Sequence, residues 1–196
     1  ILFQTTGRST GLFANVDKTL RKGFEGSISG EIQRFNWMLS YSNINASFED
    51  SFNALSPNHD FADDNDEIQV RSGDKIPGIP EHQFKFLGNY ELTDVLHVGF
   101  DIARTSSQFL RGDESNQMGE IDGYTVANLR LRYAVSENLE IFATVQNLFD
   151  REFETFGLLG EEPNELEVPI IEDLEIPIFL GSAPPRAGYI GLSYSF

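Results

Sequence analysis

Three patterns predict that this 196-residue chain is all-β, an antiparallel up-and-down transmembrane β-barrel of about eight strands. Apolar and polar residues alternate with period two in segment after segment, the connections between segments are alternately short and long, and acidic residues collect in the long ones. Composition agrees: 24 aromatics, 17 of them Phe, and 17 Gly against two Met suit pleated surfaces joined by tight turns.

A stub at 1–6 is the first expected strand. In 24–32, Phe24, Gly26, Ile28, Gly30 and Ile32 fall on one face and Glu25, Ser27, Ser29 and Glu31 on the other. After Gln33-Arg34 the pattern resumes with Phe35, Trp37, Leu39 and Tyr41 against Asn36, Ser40 and Ser42. It recurs as Phe84, Phe86 and Tyr90 against Gln83, Lys85 and Asn89, then as Leu96, Val98, Phe100 and Ile102 against His97 and Asp101. Leu129, Leu131 and Tyr133 oppose Asn128, Arg130 and Arg132; Leu139, Ile141, Ala143 and Val145 oppose Glu140, Thr144 and Gln146. The last strand sets Ile190, Leu192, Tyr194 and Phe196 against Tyr189, Ser193 and Ser195.

A half-buried soluble sheet also alternates, so the connections carry the distinction. Short turns at Gln33-Arg34, Leu92-Thr93-Asp94 and Ser136-Glu137 alternate with long segments at 49–80, 106–122 and 151–186. Residues 49–80, 106–122 and 150–186 carry charges of −6, −3 and −8, the whole of the net −17, while strands and short turns are neutral together. A wall facing lipid must exclude net charge, and turns on one side with long loops on the other match an outer-membrane barrel. Trp37, Tyr41, Tyr90, Tyr133 and Tyr194 then suit the interfacial belts.

In such a barrel the polar faces line a lumen, which makes Glu25, Glu31, Lys85, His97, Asp101, Arg130, Arg132 and Glu140 inward candidates, either gripping other parts of the protein or balancing one another in a wet interior. His97 and Asp101 are spaced to share a hydrogen-bond network. Asp63-Asp64-Asn65-Asp66-Glu67 suggests calcium, but a calcium loop starting at Asp63 needs Gly where Ile68 stands, so a solvated acidic loop is expected. The near-repeat Leu-Glu-Val-Pro-Ile-Ile and Leu-Glu-Ile-Pro-Ile-Phe within 166–179 reads as an external loop or loose hairpin.

No catalytic, cofactor-binding or metal-ligand motif is present. Gly26-Ser-Ile-Ser-Gly30 has Ile28 where a nucleophile elbow needs Ser. Without Cys, disulfides and thiolate metal sites are excluded. So acidic a chain is a poor ligand for nucleic acid. The first residues lack a basic signal-peptide region and a start Met, so a leader is absent or removed, or the sequence is a piece of a longer chain.

The stretch 124–157 resembles the carboxy-terminal signature of TonB-dependent receptors. A strand ending in an aromatic, a short turn and a second strand lead into Asn147-Leu148-Phe149-Asp150, then Arg151 and Phe153, with Phe where Tyr is usual. Gly23-Phe24-Glu25, Pro77-Gly78-Ile79-Pro80 and Pro185-Arg186 are similar to family positions, and Ile190, Leu192, Tyr194 and Phe196 resemble the terminal strand read by the barrel-assembly machinery. The resemblance implies that residues 1–196 are the C-terminal portion of a 22-stranded barrel, with the plug domain absent from this chain. It further implies the Gram-negative outer membrane and its lipid, active uptake of a ferric siderophore or similar scarce nutrient, and the TonB energy-transducing complex as partner through the plug. A passive pore or freestanding eight-stranded barrel is the alternative, and needs the stub to pair with 188–196. An outer-membrane hydrolase using His82 is a further one.

Overall fold

Residues 2–5, 11–160 and 178–196 are described by a computed structural model. Every regular element among them is a strand: β1 (Leu2–Thr5), β2 (Gly11–Ala14), β3 (Thr19–Ile32), β4 (Phe35–Phe48), β5 (Phe52–Leu55), β6 (Glu67–Val70), β7 (His82–Glu91), β8 (Leu96–Thr105), β9 (Gln108–Phe109), β10 (Glu120–Ile121), β11 (Tyr124–Ala134), β12 (Leu139–Gln146), β13 (Glu154–Leu159), β14 (Ile178–Ser182) and β15 (Ala187–Tyr194).

Seven of these form one antiparallel meander in the order β15, β12, β11, β8, β7, β4, β3, so each strand lies beside its neighbour along the chain. Turns at 33–34, 92–95 and 135–138 join the hairpins at one end. Gln33 takes a φ of 55°, and Thr93 Oγ1 accepts the Val95 and Leu96 N–H groups. The register keeps the two faces apart across the whole sheet. Ile28 opposes Leu39, which opposes Phe86, which opposes Ile102; on the other face Ser27, Ser40, Lys85 and Ala103 follow one another in the same way.

Two expectations are corrected. The wall holds seven strands rather than eight, because the 1–6 stub pairs with β2 in a hairpin of its own. The contact a freestanding eight-stranded barrel requires is therefore missing: β15 pairs with β12 and not with the stub. The first wall strands are also longer than their alternation shows, β3 beginning at Thr19 and β4 running to Phe48, 14 residues each. Alternation fades there because Ala46, Ser47 and Phe48 are buried under the long loops on both faces, so polar-out no longer applies. The carboxy-terminal strand ends at Tyr194, although Ser195 N–H still donates to Asn138 O (3.0 Å).

The core lies at the loop end of the wall. Phe48, Ala54, Ile68 and Val70 pack together where β5 and β6 fold over the outer end of β4, with Val16, Phe52, Ala62 and Ile76 against them. Wall residues such as Ile190 and Leu192 are 80% and 70% exposed. The long connections thus contain hairpins, β5 with β6, β9 with β10 and β13 with β14. Most of the 166–179 near-repeat lies outside the described residues; its end, from Ile178, enters β14.

Candidate functional site

All eight inward candidates fall on one face of the sheet. Glu25 opposes Ser42 and Glu31 opposes Asn36; Lys85 lies between Ser40 and Ala103. His97, Asp101, Arg130, Arg132 and Glu140 cluster nearer the short turns. Asp101 accepts from Arg130 Nη1 (2.8 Å) and from Asn128 Nδ2 (2.7 Å), and Arg132 grips Glu140 with two bonds of 3.2 and 2.8 Å. Gly99, beside Asn89 and the Arg130 guanidinium, leaves the room that this packing needs. His97 does not join Asp101, whose oxygens are taken by Arg130 and Asn128; its cross-strand neighbours are Glu91 and Arg132. Leu87 and Met38 form an apolar spot on this face next to Asp101, and Phe142 is another, opposite Arg132.

Asn128, passed over in the sequence except as a polar alternate, is the link to the Asn147 motif. Its Oδ1 accepts the Asn147 N–H (2.9 Å) while its Nδ2 holds Asp101, so one polar chain runs from Arg130 through Asp101 and Asn128 to Asn147. Asn147 sits at φ 48°, where Asn is tolerated, and its side chain accepts from Arg151 N and donates to Arg151 O and Pro184 O (3.0, 2.9 and 3.2 Å). Asp150, also at positive φ, accepts the Arg186 N–H (2.8 Å), and Leu148 N–H donates to Ala127 O. Phe149 is 72% exposed, and Phe153 stacks on Tyr124 at 4.2 Å. Asn147-Leu148-Phe149-Asp150 and Pro185-Arg186 are therefore one device, stapling both roots of the 147–186 loop to the wall.

Above the wall the long loops lock together. His59 and Asp113 are both fully buried, with His59 Nε2 2.9 Å from Asp113 Oδ1. Phe61 N–H donates to His59 Nδ1, so Nε2 carries the proton and donates to the carboxylate. Asp113 also accepts the backbone N–H groups of Gln117 and Met118 (both 2.9 Å) and the Ser115 hydroxyl (3.1 Å). Ser56 Oγ donates to Gly112 O, Asn116 Nδ2 to Lys75 O and Gln108 Nε2 to Thr155 O; Arg111 and Leu158 form a bridge. Beside this knot, burial pushes the Glu114 carboxyl above its ordinary range, against a Gly112 N–H that pulls it down. No sequence signal marked His59; Asp113-Glu-Ser-Asn-Gln117 has the composition of a side-chain-capped turn and could have been read as one.

The acidic run is also structural. Asp63 Oδ1 accepts the Asn65 and Glu67 N–H groups, which hold its carboxyl below the usual range, and Ile68 belongs to the loop core at 1% exposure. Among the described residues no group of three or more His, Asp or Glu is placed to hold a metal ion.

On the opposite face Tyr90, Tyr133 and Tyr194 lie at the turn end and Tyr41 at the loop end, as belts require. Trp37 sits two residues further in than Phe35, its ring over Gly30. Ile190, Leu192 and Tyr194 share that face, with Tyr194 and Phe196 rings 6.4 Å apart.

Comparison with known proteins decides the family, since the model for TonB dependent receptor-like β-barrels matches residues 1–148. The chain belongs to this family. Its members are transport receptors of the Gram-negative outer membrane. The catecholate siderophore receptor Fiu of Escherichia coli K12 is 33% identical over 79 residues, 40% of this chain and 10% of Fiu. The metal-pseudopaline receptor CntO of Pseudomonas aeruginosa is 28% identical over 86 residues, 43% of this chain and 12% of CntO. The crystal structure of the siderophore receptor PiuA from Acinetobacter baumannii superposes with a TM-score of 0.70 at 16% identity, covering 98% of this chain and 24% of PiuA. The matches thus span a quarter or less of these relatives, and the seven-stranded sheet has the fold of part of such a barrel wall.

Proposed function

We propose that the chain forms part of an active outer-membrane receptor for a ferric siderophore or related metal chelate. The observation that carries this is the family match joined to relatives whose names specify siderophores and a metal chelate. Residues 1–196 are the C-terminal portion of the barrel, and the plug that engages the TonB complex is carried by another part of the protein. The small share of each relative that is covered supports this division.

On this reading the face holding Glu25, Glu31, Lys85, His97, Asp101, Arg130, Arg132 and Glu140 lines the bore, and its ion pairs keep a wet wall rigid while the stapled loops shape the mouth. Ile190, Leu192, Tyr194 and Phe196 are presented to lipid and, during biogenesis, to the barrel-assembly machinery; their exposure on one strand face supports that role. The chain has no enzymatic role here. The hydrolase reading finds no support at His82, whose Nδ1 meets Tyr41 OH and Asn43 Nδ2 rather than an acyl-accepting serine. The test is growth and uptake on single iron or metal-chelate sources after deletion of the full gene. Loss on one chelate is expected, and unchanged uptake of every chelate and of cobalamin would overturn the proposal.

A further inference from the structure

On the apolar face of the seven-stranded sheet, no Asp or Glu occurs at any position of any strand. The side chains there that carry or can carry charge near neutrality are Lys22, His82 and Arg104. All three are exposed, and all lie at the loop end. Lys22 is ten residues from Ile32, where β3 ends at its short turn; His82 is eight from Tyr90 and Arg104 eight from Leu96. With strands rising about 3.3 Å per residue and tilted by roughly 40°, these positions stand about 20 to 25 Å above the turn end, the height of the apolar band. The turn end of the same face is aliphatic and aromatic, with Ile32, Phe35, Tyr90 and Tyr133.

The distribution is opposite in sign to the net charge nearby, since the long loops just above hold the whole net charge of −17. Cations pointing away from the polar face cannot serve a solute passing along it. Nor are they used up within the fold: Arg104 makes one long side-chain bond, to Thr125 Oγ1 at 3.3 Å, and Lys22 makes no ion pair among the described residues. The nearby Glu81 is engaged by Lys75 at 3.2 Å, which holds its carboxyl below the usual range. Tyr41 and Asn43 occupy His82 Nδ1, which leaves Nε2–H as the free donor of this exposed side chain.

We infer that Lys22 and Arg104, with the Nε2–H donor of His82 between their strands, form a cationic collar that binds the phosphate groups of the glycolipid in the outer leaflet. The partner follows from charge and height. At the polar boundary of the leaflet, an anionic head group is the ligand that offsets three donors on a face otherwise given to lipid tails. The Arg104 fork suits a phosphate, while Lys22 and His82 reach neighbouring oxygens. The collar is independent of what the receptor transports.

The test uses the full-length receptor, extracted in mild detergent and titrated with lipid A by native mass spectrometry. A basic residue near a membrane surface contributes about fivefold in affinity, so Lys22→Gln with Arg104→Gln should weaken binding of bisphosphorylated lipid A by roughly 25-fold. Lys22→Arg with Arg104→Lys should restore most of it, and Arg34→Gln at the turn end should match wild type. Equal affinity in wild type and the double Gln variant overturns the inference. So does equal binding of dephosphorylated lipid A, which would show acyl-chain recognition, or of phosphatidylglycerol, which would show unspecific attraction to anionic lipid. If the double variant does not reach the folded, heat-modifiable form, Lys22→Gln alone decides: a fivefold loss supports the collar and none refutes it.

Discussion

The wall and the loops above it are built from the same alphabet in opposite ways. In the wall, one face exposes its apolar residues, and on the other Arg130 pairs with Asp101 and Arg132 with Glu140. In the loops, Ile68 and Val70 are buried and so are His59, Asp113 and Glu114, as in a small soluble domain. On the proposed function, the difference follows from the solvent that each part meets. A strand that faces lipid needs no core, because lipid takes the place of one, and the β-ladder satisfies its backbone. A long loop meets only water, so it must bury its own apolar groups and find partners for every polar group it buries with them.

The comparison breaks most visibly at Asp113. Asp113→Ala removes the acceptor of four donors, His59 Nε2, Ser115 Oγ and two backbone N–H groups. It should destabilise the loop assembly by about 3 to 5 kcal/mol. Hydrogen exchange of the reconstituted full receptor should then show rapid exchange throughout 56–62 and 108–118, with the β7, β8 and β11 amides still protected. Loss of protection in the wall as well would mean that the two regions are not separate units.

The wall is probed by the two faces of one strand. Leu39, between Ile28 and Phe86, lies near mid-height on the apolar face, and Ser40 beside it points the other way. Leu39→Arg should cost about 2 to 4 kcal/mol, whereas Ser40→Arg should cost little. Unfolding midpoints in detergent or vesicles would measure both, and equal costs would contradict the assignment of faces.

At the junction of the two regions, Asn147→Ala should loosen the loop root by about 1 to 3 kcal/mol, since Arg151 and Pro184 lose their side-chain partner and a positive φ is left to Ala. The expected readout is faster proteolysis within 150–186 at unchanged wall stability.

The smallest effect should come from Glu114, and its sign is fixed by its surroundings. Burial raises its folded pKa above that of the unfolded chain, so the folded loops bind the proton more tightly. That contribution is fully present below the unfolded value of about 4.5 and is lost as pH rises through the higher folded value. Glu114→Gln, neutral at every pH, should therefore protect the loops slightly at pH 7 relative to wild type and lose that advantage in acid. A variant less protected at pH 7 would show that Gly112 and its neighbours favour the ionised form.

The meander and its two faces were legible in the order of residues alone, because an alternation of period two leaves one register that keeps both faces consistent, and seven strands in series leave little choice of neighbour. The acidic loops were legible for the same reason, as charge has to leave a wall that meets lipid. Sequence patterns could not reveal that the stub would pair with Gly11–Ala14 instead of joining the wall, since any edge can accept a short strand. Nor could they show that Asp113 is a buried hub while Asp63 caps an exposed turn. That choice rests on contacts between residues more than fifty positions apart, His59 with Asp113 and Ser56 with Gly112, and an aspartate looks the same in the chain whether its donors come from water or from another loop.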